Sequence, residues 1–257
     1  MSRETLMGIL LLCWFVALAV AEAVSTGVDQ SERAPNDQRL LTNFGLTIIV
    51  VLTGSLVPSA QVTASFFVGR LGLGLANSVT MPWLGIFALA LLLDSFVGYW
   101  THRLLHAVPL LWRLHRVHHA DSAVDVSTSL RNHPLELLVT LPASCLVVLL
   151  VGAPVSVVAS VQTAMVAAAI WQHADVRLPK RIDAALSKVI VTPRLHRLHH
   201  SPEREVHDSN FGDSVIFWDR LFGTYNGARQ RGPVGLRGEA ARADHLIEQI
   251  CSPLQPA

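Results

Sequence analysis

Cysteine is scarce in this chain: Cys13, Cys145 and Cys251 are the only three in 257 residues. Two of them lie in apolar runs and the third in a polar tail, so neither a disulfide framework nor a cysteine metal site can be assembled. Charge is scarce as well, with 15% charged against 51% hydrophobic residues and a formal net charge of +1. That balance argues against an ordinary soluble globular protein. No basic block is interleaved with aromatics, so nucleic acid is not an expected partner. A CxxCH haem attachment, a Gly-rich dinucleotide fingerprint and a cysteine cluster for an iron–sulfur centre are all missing. Any metal chemistry must therefore be built from histidine, of which there are 12.

What the chain has in quantity is long apolar runs. A helix needs about 20 mostly apolar residues to span a bilayer, and Leu6 to Val24 supplies the first such run. The small-residue triplet Ala19-Val20-Ala21 also resembles a signal-peptide cleavage site, but the further runs that follow favour a retained span. A polar loop from Ser25 to Arg39 leads to a second span, Leu40 to Val57, which stops at Pro58. Phe66 to Leu75 is too short to cross and suits an interfacial or re-entrant position. A third span begins at Trp83, contains Asp94 and ends near Trp100. Two more, Leu135 to Val151 and Val155 to Trp171, form a helical hairpin around Gly152-Ala153-Pro154. The pattern predicts an all-α integral membrane protein of four to five transmembrane helices. Most Lys and Arg fall in Arg103 to Arg131 and Arg177 to Arg242, which the positive-inside rule assigns to the cytoplasm. Both histidine-rich blocks share that side, so a cytoplasmic helical cap carrying a dinuclear metal site is expected. In a bacterium the membrane would be the inner one.

The histidines recur in helical register. His102 and His106 sit four apart at the end of the third span, where a continuing helix projects both from one face. His115, His118 and His119 have i, i+3, i+4 spacing, and His196, His199 and His200 repeat it. Arg103, Arg113, Arg116, Arg194 and Arg197 are interleaved with them, which would also suit a collar for lipid headgroups. Headgroup attraction has no need of helical histidine register, however, so metal binding is the better reading. Eight imidazoles exceed the four or so ligands that one zinc ion takes, which implies two ions. Imidazole suits zinc, copper, iron and nickel alike, so the spacing does not select the metal.

Taken together as an ordered set, DSFVGYWTHRLLH (94–106), LWRLHRVHH (111–119), RNHPLE (131–136), WQHADVRLP (171–179), TPRLHRLHHS (192–201) and DSNFGDSVIFWDRLFGTY (208–225) resemble the fatty acid hydroxylase superfamily, which includes sterol desaturases and sterol C4-methyl oxidases. The resemblance covers roughly residues 80 to 226. It implies a di-iron enzyme that uses dioxygen as co-substrate and two electrons to hydroxylate or desaturate a membrane lipid. By position, it carries over His102, His106, His115, His118, His119, His196, His199 and His200 as ligands, with His173 as a ninth. Some members have a further histidine four residues from the last of these, but here Ala169 and Arg177 stand there. His133 is the natural substitute, with a structural role at the helix start as its alternative, since Pro134 fits a first helical turn. Ligating imidazoles usually hand their second N–H to a carboxylate or carbonyl, and Asp94, Asp208 and Asp219 are the candidates. His207 and His245 lie outside the register and are expected in solvent. Phe217, Trp218, Phe222 and Tyr225 are expected to pack or to anchor at the interface.

The resulting organisation is an N-terminal transmembrane region (1–79), a catalytic region (80–226) and a polar C-terminal tail (227–257). Electrons must come from a separate protein, a ferredoxin or a small cytochrome with its reductase. Three rivals make different demands. A zinc hydrolase needs neither oxygen nor reductant, a metal transporter needs histidines within its spans, and a non-catalytic lipid-binding protein would tolerate loss of any one histidine.

Overall fold

A computed structural model describes residues 1–25, 37–55, 60–228 and 233–255. The end of the second expected span, at Val57 and Pro58, lies outside them, as does most of the loop before it. Helix α1 (Arg3–Val24) starts at Ser2, whose hydroxyl accepts from the Thr5 N–H as an N-cap. It is followed by α2 (Asp37–Ser55), the short α3 (Ala60–Leu71) and α4 (Leu75–Ser78). Helix α5 (Trp83–Ala107) continues two turns beyond the apolar run, so its last part carries His102 and His106. Pro109 opens α6 (Pro109–His119), a position where its missing N–H would have had no helical partner. The hairpin is α7 (Leu137–Val151) and α8 (Val155–His173). Among the described residues, five stretches are long and apolar enough to cross a membrane, in agreement with the sequence pattern. A lipid-facing backbone can satisfy its polar groups only internally, which is why these runs are helices.

Short helices build the cap: α9 (Lys180–Leu186), α10 (Pro193–His199), α11 (Arg204–His207), α12 (Phe217–Leu221), α13 (Ala240–Ala243) and α14 (Leu246–Cys251). Among the described residues there is no strand, only a single antiparallel bridge between Ile190 and Val215.

The membrane core is formed by α5, α7 and α8, which bury Ala90, Val147, Val151, Val157 and Val161 together. Helix α3 closes it on one side: Ser65 donates to the Ala153 carbonyl at 2.6 Å, and Gln61 to the Ser144 hydroxyl at 2.7 Å. Helix α1 lies along α8. The Trp14 indole donates to the Ala167 carbonyl at 3.0 Å and stacks on Trp171, and Leu18 is buried with Ile170. Near its end, the Glu22 carboxylate accepts from the N–H groups of Val126 and Asp175. The segment that could be read as a cleavable leader is thus packed into the helical layer. On α12, Trp218 donates to the Ser95 hydroxyl and Phe222 stacks on Tyr99, so these aromatics pack the cap onto α5 as expected.

The hairpin turn and the segment before α4 meet at two glycines. Both have positive φ, +85° at Gly74 and +73° at Gly152, and a Cβ at Gly74 would lie 2.3 Å from the Gly152 nitrogen. Backbone against backbone cannot yield as a side chain can, and a non-glycine residue is strained at that φ. Gly74→Ala is therefore expected to lower stability by about 1–3 kcal/mol, read as an earlier thermal unfolding midpoint in detergent. Metal stoichiometry of the folded fraction should be unchanged, because this contact lies at the opposite end of the hairpin from His173.

Candidate metal centre

The two HxxHH repeats sit on short helices that stop as soon as their histidines have been presented. Helix α6 ends at His119, and α10 ends at His199 with His200 as its cap residue. Together with α5 and the last turn of α8 they place nine buried imidazoles in two groups. One holds His102, His106, His115, His119 and His199; the other holds His118, His173, His196 and His200.

The ring nitrogens are sorted by direction. Six of the rings use Nδ1 outward: His102 donates to the Phe211 carbonyl (2.9 Å), His118 to that of Arg131 (3.0 Å), His173 to that of Ala169 (2.7 Å) and His199 to that of Ser209 (2.8 Å). His106 bonds the Asp208 carboxylate at 3.0 Å and His115 the Glu136 carboxylate at 2.9 Å. With Nδ1 carrying the proton, each Nε2 presents a lone pair inward. These nitrogens meet one another. Nε2 of His102 lies 3.0 Å from that of His115 and 3.0 Å from that of His199, and the His106–His119 separation is 3.2 Å. In the second group the separations are 3.0 Å for His118–His173, 2.9 Å for His173–His196 and 3.2 Å for His196–His200.

Two inward lone pairs cannot hydrogen-bond to each other, whereas a cation between them satisfies both. Neighbouring imidazole nitrogens about 2.1 Å from one ion and at right angles about it would be about 3.0 Å apart. The donor set therefore fits metal ions. The charge state agrees for five of the rings: burial first, then the neighbouring imidazoles, hold His118, His119, His196, His199 and His200 well below the ordinary histidine range, whereas at His102 burial is outweighed by Asp213 and the Phe211 carbonyl, which raise it. Metal ligation requires such neutral rings.

The other expected site residues divide. Asp208 touches His106, as above. Asp219 touches no imidazole; its carboxylate accepts from the N–H groups of Phe211 (2.7 Å) and Gly212 (2.9 Å) and so holds the loop whose carbonyl takes the His102 proton. Asp94 is not brought to a histidine. It lies two turns, about 12 Å, before His102 along the helix and lines a small cavity with Ser144 and Gln162 between α5, α7 and α8. His133 joins neither group: its Nδ1 accepts from the Leu135 N–H and its Nε2 donates to the Ile250 carbonyl, so it caps the turn Pro134–Glu136.

Three residues escaped the sequence reading. His207 is buried, not solvated, because α11 folds back and lays its ring on Trp112, 5.4 Å away, and 5.5 Å from His106. Glu136 and Asp213 face His115 and His102 respectively. Glu136 lies in RNHPLE (131–136) and Asp213 in DSNFGDSVIFWDRLFGTY (208–225), but no local spacing ties either to a histidine. The approach of Asp213 is permitted by Gly98, where a Cβ would meet its carboxylate at 2.6 Å. His245 is exposed, as expected. Among the interleaved arginines, Arg116 donates to Ser252, Arg194 pairs with Asp183 and Arg197 donates to the Val124 carbonyl. These three are engaged within the protein, which weakens the headgroup-collar reading.

The region that carries these histidines is the one that known proteins resemble. Residues 87–224 match the family described as fatty acid hydroxylase. The chain is 28% identical over 167 residues to ornithine lipid hydroxylase OlsE of Rhizobium tropici, covering 64% of this chain and 49% of that protein. It is 30% identical over 142 residues to alkylglycerol monooxygenase of Homo sapiens, covering 55% of this chain and 31% of the other. With the Danio rerio alkylglycerol monooxygenase it shares 32% identity over 127 residues, 49% of this chain and 27% of that one. The matches thus span about half the length of the first relative and under a third of the other two. No solved structure matches the chain.

Proposed function

Because this chain belongs to the fatty acid hydroxylase family, we propose that it is a membrane-bound lipid hydroxylase or desaturase whose two imidazole groups hold two iron ions. The observation that carries this reading is the inward convergence of Nε2 atoms on nine buried rings, six of which have Nδ1 donating outward and so turn a lone pair inward. When bound, the iron pair supplies the oxidising power that, with dioxygen and two electrons, breaks a lipid C–H bond.

The chain's own contribution is orientation and exclusion of water. The outward Nδ1–H bonds fix the tautomer of His102, His106, His115, His118, His173 and His199, so that these six rings need no reorganisation to bind metal. Phe211 is buried with its ring 5.0 Å from that of His106 and 5.6 Å from those of His102 and His199, and it shields the five-histidine group. The helical layer brings a lipid substrate to the cap from the bilayer. Five donors in one group exceed what tetrahedral zinc takes, which favours iron over a zinc hydrolase. By the positive-inside rule the cap faces the cytoplasm, where a ferredoxin or a small cytochrome with its reductase would deliver the electrons. The relatives act, by their names, on ornithine lipid and on alkylglycerol; a polar lipid is the substrate class we assign. The catalytic region is 80–226, with 1–79 adding spans and the C-terminal segment bracing the cap through Arg116–Ser252 and the Gly235 N–H to the His200 carbonyl.

The test is to express the chain in iron-supplemented cells, supply isotopically labelled dioxygen and analyse the lipids by mass spectrometry, with purified protein assayed for metal in parallel. Expected are bound iron and either a lipid carrying labelled oxygen or one that has lost two hydrogens, both dependent on oxygen and reductant. Stoichiometric zinc with lipid turnover under anaerobic conditions would overturn the proposal in favour of hydrolysis.

A further inference from the structure

The two imidazole groups differ in what stands behind them. In the five-histidine group, two rings bond a carboxylate through Nδ1, His115 to Glu136 at 2.9 Å and His106 to Asp208 at 3.0 Å, and Asp213 lies 3.4 Å from the His102 Nδ1 that donates to the Phe211 carbonyl. In the four-histidine group there is no such carboxylate among the described residues. His118 and His173 donate to backbone carbonyls, and Nδ1 of His196 and His200 is buried without a partner. Neutral carbonyls orient a ring, but a carboxylate also raises the electron density at the opposite nitrogen and so strengthens its bond to a cation.

We infer that Glu136, Asp208 and Asp213 are positioning residues that make the two groups unequal metal sites, the five-histidine group holding its ion more tightly. The inference rests on the metal-binding reading above and adds an order to it. Ligand number and carboxylate support act in the same direction: five donors with three anions behind them against four donors with none.

The three carboxylates are not equivalent. Glu136 is only 7% exposed, whereas Asp213 is 34% and Asp208 39% exposed, and solvent screens an exposed charge. Asp208 is further shared, with Arg204 at 3.5 Å and His207 at 3.6 Å. Glu136 therefore carries the largest effect. Its second oxygen, Oε2, is buried with no partner, so its negative charge is directed at His115 without competition from a neighbouring donor.

The experiment challenges the full chain, purified in detergent with its metal, with graded concentrations of a chelator and follows metal content by mass spectrometry. The parent is expected to lose its metal in two separated steps. Glu136→Gln keeps an oxygen that can accept from His115 but removes the charge; it should shift the more resistant step by about 10- to 100-fold in chelator and leave the other in place. Glu248→Gln, whose carboxylate pairs with Arg242 on the C-terminal segment, serves as the control and should move neither step. Loss of both ions in one step from the parent, or a Glu136→Gln effect confined to the weaker step, overturns the inference while leaving the proposed function standing. A parent that holds no metal at all would remove both. Circular dichroism of each variant separates a folding failure from a change in metal affinity.

Discussion

Replacing His118 and His199 by alanine together is expected to leave the folded chain with less than half of the parent's bound metal. The pair takes one imidazole from each group. It reduces the four-donor group to three and removes from the five-donor group a ring whose Nε2 lies 3.0 Å from that of His102. Protein from iron-supplemented cells should carry about two ions per chain in the parent, one for each group, since neither group alone can serve eight or more imidazoles. The double variant should lose the ion of the four-histidine group, hold the other less tightly so that metal falls below one ion per chain after purification, and lose all lipid oxidation. The single variants are informative in their own right: His118→Ala should empty the four-histidine group first and His199→Ala should weaken the other. Helical content by circular dichroism should persist, because both rings lie at helix ends in the cap and not in the α5–α7–α8 core. A double variant that retains the parent's metal content would sink the assignment of these groups as metal sites.

Neutralising Asp121 should produce the largest loss of stability. This fully buried carboxylate accepts from Arg39 (3.0 Å), Asn43 (3.1 Å) and the Thr128 hydroxyl (2.7 Å). Arg39 also pairs with Asp125. The neighbouring Arg131 is buried as well and donates to the Val117 carbonyl, Asn43 and the Ala243 carbonyl. Asp121→Asn would leave two buried guanidinium groups short of negative charge, and breaking a buried pair in this way costs about 3–5 kcal/mol. The unfolding midpoint in denaturing detergent should fall accordingly, and a loss under about 1 kcal/mol would rank the network with ordinary surface pairs. The damage should reach the metal cap, because the Arg131 carbonyl takes the Nδ1 proton of His118.

Its pH dependence has a definite sign. Burial works to raise the Asp121 carboxyl, but Arg39 and Arg131 prevail and hold it below its ordinary 3.8. A carboxyl depressed on folding contributes fully above its unfolded pKa and loses that contribution as pH falls through the folded value. The network should therefore hold throughout the neutral range and weaken only in acid below about 3.8, and Asp121→Asn should flatten that acid limb.

Much of this protein was determined by local pattern. Runs of about 20 apolar residues become helices wherever backbone polar groups have no water to bond, and the five membrane-length stretches follow from that alone. The i, i+3, i+4 histidines point to one side of any helix they form, so α6 and α10 were predictable as presenters of imidazoles before any contact was known. Local pattern could not decide which rings share an ion. His118 and His119 are adjacent in the chain, yet they belong to different groups, as do His199 and His200, because successive residues on a helix diverge by about 100° and it is the facing helix that completes each group. Tertiary structure also chose the partners behind the rings. Asp94, in helical register with His102, stays two turns away in the membrane, while Asp213, more than a hundred residues distant, reaches His102 over the open face of Gly98. His133 was claimed by the Ile250 carbonyl and His207 was buried by the return of α11 onto Trp112. Periodicity reports the direction in which a side chain leaves its own helix, but long-range packing selects what it meets there.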